Sequence, residues 1–122
     1  MKINHFASNN CEKVFFIEFG NTYYEVFEYQ IAYVHKSNGI VFIADTNAEK
    51  FPISIRSLDN FFSNFNSKQF FKISNETIVN RDAIFYLEEY NNYVFLTFNF
   101  KKTIALKISS KKIDKFKKWF HD

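Results

Sequence analysis

A short polar stretch, Ser74-Asn75-Glu76, stands between two apolar runs and offers hydroxyl, amide and carboxylate groups at close spacing. The preceding residues, Phe70 to Ile73, have strand character, and Ile78-Val79 after it predict a short buried turn. Core residues on both sides would hold the polar stretch, which we call the knuckle, rigidly in place. An Asn side chain can pair with the N6/N7 edge of adenine. An exposed carboxylate repels phosphate, although it can accept from cytosine N4.

Two asparagines in this region also have structural interpretations. The Asn75 side chain could cap the backbone of the knuckle itself instead of reaching another molecule. The Asn80 amide, which follows the second apolar run, is predicted to fix the turn there.

Basic residues are concentrated at the carboxyl end of the chain. Residues 101–122 hold eight of the 16 Lys and Arg residues and two acids, a net charge of +6, so residues 1–100 carry −3. Such polarity is typical of a protein with a polyanionic partner. Lys111, Lys112 and Lys115 fall near the start of a predicted helix, where side-chain charge and free backbone N–H groups both suit phosphate. The alternative is a solvated helix face.

No catalytic constellation is visible. His5, His35 and His121 are scattered, and no H-E-x-x-H, G-x-x-x-x-G-K or G-x-S-x-G motif occurs. Glu88-Glu89 are adjacent in a predicted strand and would point to opposite faces. The single cysteine, Cys11, excludes an intramolecular disulfide and a Cys-based zinc site. We therefore expect no enzyme activity, no cofactor and no metal.

The composition predicts one mainly β domain. The chain has 122 residues, 18 of them Phe, with only 2 Gly and 1 Pro, which favours pleated and half-buried surfaces over disorder. Residues 1–13 lack the apolar core of a signal peptide, and no apolar run approaches the ~20 residues that span a membrane. We expect a cytoplasmic protein without membrane contact.

Short apolar runs at regular intervals predict strands at Val14–Glu18, Tyr23–Tyr29, Ile31–Val34, Ile40–Ala44, Phe51–Ile55, Ile84–Glu88, Tyr93–Phe98 and Thr103–Ile108. Asn38-Gly39 predicts a tight hairpin turn, and Pro52 indicates an edge strand.

Two segments change to helical periodicity. Apolar residues at i, i+3, i+4 and i+7 predict a helix over Leu58–Phe65, with Ser57 as its N-cap. A second apolar stripe predicts a helix over Lys111–Phe120, capped by Ser109 or Ser110.

The stretch from Phe70 to Asn80 resembles the hallmark of the LytTR family of bacterial DNA-binding domains, which reads roughly F-[FR]-x-[IVC]-H-[RKN]-S-x-[LIV]-V-N. Ile31 to Val34 matches the family's I-x-Y-V, Ser57-Leu58 matches its S-L, and the likeness covers Val14 to Phe120. The resemblance implies a mainly β fold: an elongated arrangement of small antiparallel sheets with one short internal helix and a C-terminal helix. It also implies loops that enter successive major grooves, in a domain of residues 14–122 after an N-terminal extension of residues 1–13.

The resemblance also implies where DNA would be contacted. Asn75 and Ser74 occupy the polar centre of the hallmark, and Ser110 stands where an Arg commonly reads bases, so that basic character would move to Lys111 or Lys112. The other groove-facing loop corresponds to Lys36, Ser37 and Asn38, for which a bare hairpin tip is the simpler alternative.

The implied function is transcriptional regulation through double-stranded DNA, with two copies pairing on direct repeats. Because only about 13 residues precede the domain, we expect a standalone protein without a receiver domain. The alternative is a degenerate LytTR-like protein-interaction module, since Ser74, Glu76, His35 and Ser110 replace residue types that the family favours. Exposed tyrosines would then line the contact, with Tyr23, Tyr24, Tyr29, Tyr90 and Tyr93 as candidates. A continuous face of Lys36, Asn75, Lys111 and Lys112 would favour DNA, and a face divided by Glu76 with Glu88 or Glu89 would favour the module.

Overall fold

The computed structural model describes residues 13–99 and 101–122, which contain ten β-strands, two α-helices and two short 3₁₀ turns. The predicted N-terminal extension lies outside this part of the chain except for Lys13. In chain order the elements are β1 Val14–Phe19, β2 Thr22–Phe27, β3 Ile31–Ser37, β4 Ile40–Asp45, β5 Lys50–Ile53, α1 Leu58–Phe62, β6 Phe70–Ser74, β7 Thr77–Asn80, β8 Ile84–Glu88, β9 Tyr93–Phe98, β10 Lys102–Lys107 and α2 Ile113–His121. The mainly β fold with one short internal helix and a C-terminal helix is confirmed.

The strands form three small antiparallel sheets. A central sheet has the order β5-β4-β3-β7-β6, β1 and β2 form a separate hairpin, and a third sheet has the order β10-β9-β8. The predicted turn between β3 and β4 is present, with Asn38 at φ 52° and Gly39 at φ 82°, the left-handed pair that a two-residue hairpin requires. The strand that contains Pro52 lies at the sheet edge, as predicted.

The central sheet is the middle layer between two apolar clusters. On one side, the hairpin β1–β2 and α1 pack on it through Phe15, Ile17 and Phe61. On the other side, the three-stranded sheet and α2 pack through residues such as Leu96 and Phe116. The central sheet therefore fixes the relative positions of the other two sheets and both helices.

Element ends differ from the predictions where polar side chains compete for the backbone. The predicted helix over Leu58–Phe65 ends at Phe62, because the Ser63 hydroxyl donates to Asn60 O at 2.6 Å and the Asn64 amide to the same oxygen at 3.3 Å. Its start is as predicted, with the Ser57 Oγ accepting from Asn60 N at 3.2 Å.

The second strand is also shorter than predicted. It ends at Phe27 instead of Tyr29, and a 3₁₀ turn over Glu28–Gln30 follows. The Gln30 side chain accepts from Phe27 N at 2.9 Å and closes this turn. Smaller differences of one to three residues occur at the ends of β1, β3, β4, β5 and β10.

Two predictions near the knuckle are corrected. Ile78 and Val79 form the fully buried strand β7 rather than a short buried turn, because that strand pairs with β3 on one edge and β6 on the other. Neither Ser109 nor Ser110 is the N-cap of α2, which is Lys112. The Ser109 hydroxyl instead accepts from Lys111 N at 3.3 Å, in the turn that precedes the helix.

Candidate nucleic-acid interface

The knuckle comprises the last residue of β6 and the two-residue loop of the hairpin β6–β7. Ser74 pairs with Thr77 across this loop, so that Asn75 and Glu76 form the tip. The Ser74 Oγ accepts from Glu76 N at 3.2 Å, and Ser74 therefore caps the loop in the way that Asn75 could have done. The Asn75 side chain is exposed and makes no hydrogen bond within the described residues.

A β-bulge next to the knuckle holds the segment that leads into α2. The register shifts between Lys72 and Ser74, which makes Ile73 the extra residue on its strand. Its carbonyl accepts from Ser109 N at 2.8 Å. Ser110 and Lys111 follow directly and are exposed. The bulge thus places the predicted contact residues of two distant segments beside each other.

The hairpin β3–β4 reaches the same end of the central sheet. Lys36 N donates to Glu76 O at 2.8 Å, which ties the end of β3 to the knuckle. Lys36 and Asn38 are both exposed. Three loops are therefore bonded into one assembly, which we call the loop end: residues 36–39, 74–76 and 109–112.

The remaining predicted lysines lie at the edge of the loop end. Lys112 is half-buried at the first position before α2, and Lys115 is exposed in the first turn of the helix. Lys112 also lies close enough to Asp59, in α1, to help lower the pKa of its carboxyl group. The main cause of that lowering is the hydrogen bond and charge of Lys72, whose Nζ is 2.5 Å from Asp59 Oδ1.

His35, directly before the loop end, is a half-buried titratable group. Its Nδ1 is 2.7 Å from the hydroxyl of Thr77, across the β3–β7 pairing. Burial lowers the pKa of the imidazole from its ordinary value, the charge of Glu76 opposes that effect, and Lys50 adds to it. The sequence pattern did not indicate Thr77 or Lys72 as parts of this region. The only feature of the sequence that could have indicated these two residues is their position close to the knuckle.

Two of the three acids near the predicted interface have partners elsewhere. Glu88 Oε1 accepts from Asn91 N at 2.9 Å, and Glu89 lies 3.5 Å from the Nζ of Lys117 on α2. Glu76 belongs to the knuckle and lies within the loop end. Its carboxylate is thus the one of the three that would meet a ligand bound at the knuckle.

Asn80 has the structural role that the sequence predicts. It is 2% exposed, its Nδ2 donates to Ile31 O at 2.8 Å, and its Oδ1 accepts from Gln69 Nε2 at 2.7 Å and from Asp82 N at 2.9 Å. These bonds join β7 to the start of β3, to the residue before β6 and to the 3₁₀ turn that follows β7, at the end of the sheet opposite the loop end.

The described residues include no cluster of three or more His, Cys, Asp or Glu side chains that could hold a metal ion. In that same part of the chain, neither helix is long and apolar enough to cross a membrane.

Comparison with known proteins agrees with this geometry. The family model of the LytTr DNA-binding domain matches residues 21–121, and the chain therefore belongs to the LytTR family of DNA-binding domains. Four solved chains match significantly. One is described as the LytTr DNA-binding domain of a putative methyl-accepting/DNA response regulator from Bacillus cereus, with a TM-score of 0.71 and 14% sequence identity over 89% of this chain and 97% of that chain. This likeness shows a shared fold. No curated protein matches the sequence significantly.

Proposed function

We propose that residues 14–122 act as a bacterial transcriptional regulator in the cytoplasm, whose loop end enters the major groove of duplex DNA. The observation that carries this proposal is the pair of backbone hydrogen bonds from Lys36 N to Glu76 O and from Ser109 N to Ile73 O. They hold three loops at fixed positions without a recognition helix. A preorganised set of loops can follow a groove with little loss of conformational entropy on binding.

The charges and side chains of the loop end divide into two proposed roles. Lys36, Lys111, Lys112 and Lys115 would contact phosphates, which positions the domain but carries no sequence information. Asn75, Ser74, Ser110 and Asn38 would read base edges, Asn75 most specifically because an amide can pair bidentately with adenine. Two copies would bind direct repeats.

The test is a comparison of binding between duplexes selected from a random library and unrelated duplexes, measured by fluorescence anisotropy at several salt concentrations. Lys111→Ala and Lys112→Ala should weaken binding to all duplexes, and each should reduce the salt slope by about one, because each removes the neutralisation of one phosphate. Lys68→Ala is the matched control, because Lys68 is exposed near Gln69, at the opposite end of the sheet.

Asn75→Ala should act differently from the lysine variants. It should cost about 1–3 kcal/mol on the selected duplex and leave binding to unrelated duplexes unchanged. An equal loss on every duplex would reject Asn75 as a base-reading residue.

The second candidate function, a protein-interaction module, is favoured by large apolar side chains that remain exposed, among them Phe16 at 77% and Tyr90 at 90%. The carboxylate of Glu76 also has the wrong sign for a phosphate contact. A flat anisotropy titration of the wild-type protein at low salt would favour this function over DNA binding.

A further inference from the structure

The outer surface of the hairpin β1–β2 is aromatic and acidic. Alternate residues of β1 enter the core, and the intervening ones face outward. Phe16 and Tyr23 are 77% and 75% exposed, and the carboxylates of Glu18 and Glu25 are exposed beside them. These side chains border a shallow groove of about 270 Å³. We call this surface the hairpin face.

The outer surface of the three-stranded sheet is aromatic as well. A β-bulge at Phe85 turns its ring to the same side as that of the next residue, Tyr86, with centroids 5.9 Å apart, and the two are 58% and 47% exposed. The Tyr86 ring stacks on Phe95 at 4.9 Å and 5°, and Lys107 lies 5.1 Å from the ring of Tyr93 on the same surface. We call this surface the sheet face.

The two faces lie on opposite sides of the molecule and differ in charge. The hairpin packs on one side of the central sheet and the three-stranded sheet on the other. The hairpin face has two carboxylates, whereas on the sheet face Lys107 is exposed and the carboxylate of the half-buried Glu88, across β9 from Lys107, accepts from Asn91 N. Exposed apolar side chains that lie side by side are typical of an interaction site, whereas scattered ones are not.

We propose that the hairpin face of one copy of this chain docks on the sheet face of a second copy, head to tail. The groove on the hairpin face is larger than the ~150 Å³ cavity that holds a benzene ring, so it has room for the Phe85 ring that projects from the bulge. Lys107 would then approach Glu18 and Glu25. The hairpin face pairs less well with itself, because two hairpin faces would bring four carboxylates together.

This contact is heterologous, since each copy contributes a different surface. One rotation and translation then relates each copy to the next, so that neighbouring copies follow one another in the same direction. Such an arrangement suits DNA sites that are direct repeats rather than inverted repeats. The contact itself does not depend on DNA, and it therefore stands or falls separately from the proposed function.

The experiment is sedimentation equilibrium of the full chain without DNA. The wild-type protein should associate with increasing concentration. The hairpin-face variant Phe16→Ser/Tyr23→Ser and the sheet-face variant Phe85→Ser/Tyr86→Ser should each weaken association by roughly tenfold or more. Tyr29→Ser is the matched control, because Tyr29 is 56% exposed, lies in the 3₁₀ turn after β2 and does not line the groove.

An equimolar mixture of the two double variants gives the decisive result. Each variant retains one intact face, so the mixture should form 1:1 dimers and no larger species. A mixture that stays monomeric would overturn the proposal, as would a wild-type protein that is monomeric at every concentration. An equal weakening of association in the Tyr29→Ser control would overturn it too.

A charge exchange keeps the proposal testable if the serine variants fold poorly. Glu18→Lys should weaken association, because it places two positive charges opposite each other. Mixing this variant with Lys107→Glu should restore association, because the two charges are then exchanged and attract again. Failure of the mixture to restore association would overturn the assigned pairing of faces. Binding of these variants to a single DNA site should equal that of the wild type, which separates this result from a failure of the proposed function.

Discussion

At the scale of single residues, burial decides what two asparagines close in sequence do. Asn80 is held by three hydrogen bonds at one end of the central sheet, whereas Asn75 projects from the tip of a hairpin. Both types of position suit an amide, since it donates and accepts at once. The first stabilises the sheet and the second is free to meet a ligand.

Asn80→Ala should lower the free energy of unfolding by about 2–3 kcal/mol, because it leaves the carbonyl of Ile31 and the amide of Gln69 without their partner. Urea denaturation followed by circular dichroism measures this change. Asn75→Ala is the matched control and should change stability by less than about 0.5 kcal/mol. Equal losses for the two variants would contradict the structural assignment of Asn80.

His35 should make stability depend on pH. Burial lowers the pKa of its imidazole in the folded protein below the ordinary value of 6.5, so the unfolded chain binds the proton more readily. The neutral imidazole therefore contributes fully to the stability of the folded protein above pH 6.5. That contribution is lost as the pH falls through 6.5 towards the lower pKa of the folded state. Unfolding free energies measured on both sides of that value should differ less for His35→Gln than for the wild type.

The neighbouring carboxylate gives a second test of His35. Glu76 opposes the effect of burial, so Glu76→Gln should lower the pKa of His35 further. Titration of the imidazole by NMR measures both proteins directly. A wild-type midpoint at or above 6.5 would show that burial is not the dominant cause.

At the scale of elements, one arginine fixes the C-terminal helix to the sheets. Arg81, just after β7, donates from Nη1 to Phe120 O at 2.9 Å and from Nη2 to Trp119 O at 2.6 Å, and its guanidinium stacks 4.3 Å from the Trp119 ring. The last carbonyls of a helix have no partner within it, and a cation there also complements the helix dipole. Since α2 follows directly from Lys112, this contact also helps to hold the loop end.

Arg81→Lys should cost about 1–2 kcal/mol, because an ammonium keeps the charge but cannot make the forked bonds and the flat stack together. Loss of the near-ultraviolet dichroism of Trp119 should accompany the lower unfolding midpoint. Arg56→Lys, the same substitution at a position in the chain before α1, should have little effect on either measurement. An unchanged Trp119 signal in Arg81→Lys would rule out the stacking role.

At the scale of the whole molecule, the central sheet couples two apolar clusters that share no members. On β7, Ile78 belongs to one cluster and Val79 to the other. Unfolding of that strand would therefore remove buried side chains from both clusters. We therefore expect the domain to unfold in one cooperative step.

Ile43→Val tests this coupling from one side only. Ile43 is fully buried in the cluster beneath the hairpin, and the substitution should cost about 0.5–1.5 kcal/mol. Trp119 packs against the opposite cluster, so its fluorescence reports the other side. The fluorescence and far-ultraviolet midpoints should shift together in urea. A fluorescence midpoint that stays at the wild-type value would indicate two units that unfold independently.

The sequence by itself determined the strand pattern, the antiparallel hairpins and the existence of both helices, because these depend on local periodicity and turn residues such as Asn38-Gly39. Its motifs also indicated the family, which the match over residues 21–121 confirms. Only the tertiary structure decided that β7 is an inner strand, that Ser109 docks on the bulge at Ile73, and that Arg81 binds the end of α2. Those bonds join residues far apart in the chain, and which distant groups meet depends on how three sheets pack, which no local pattern records.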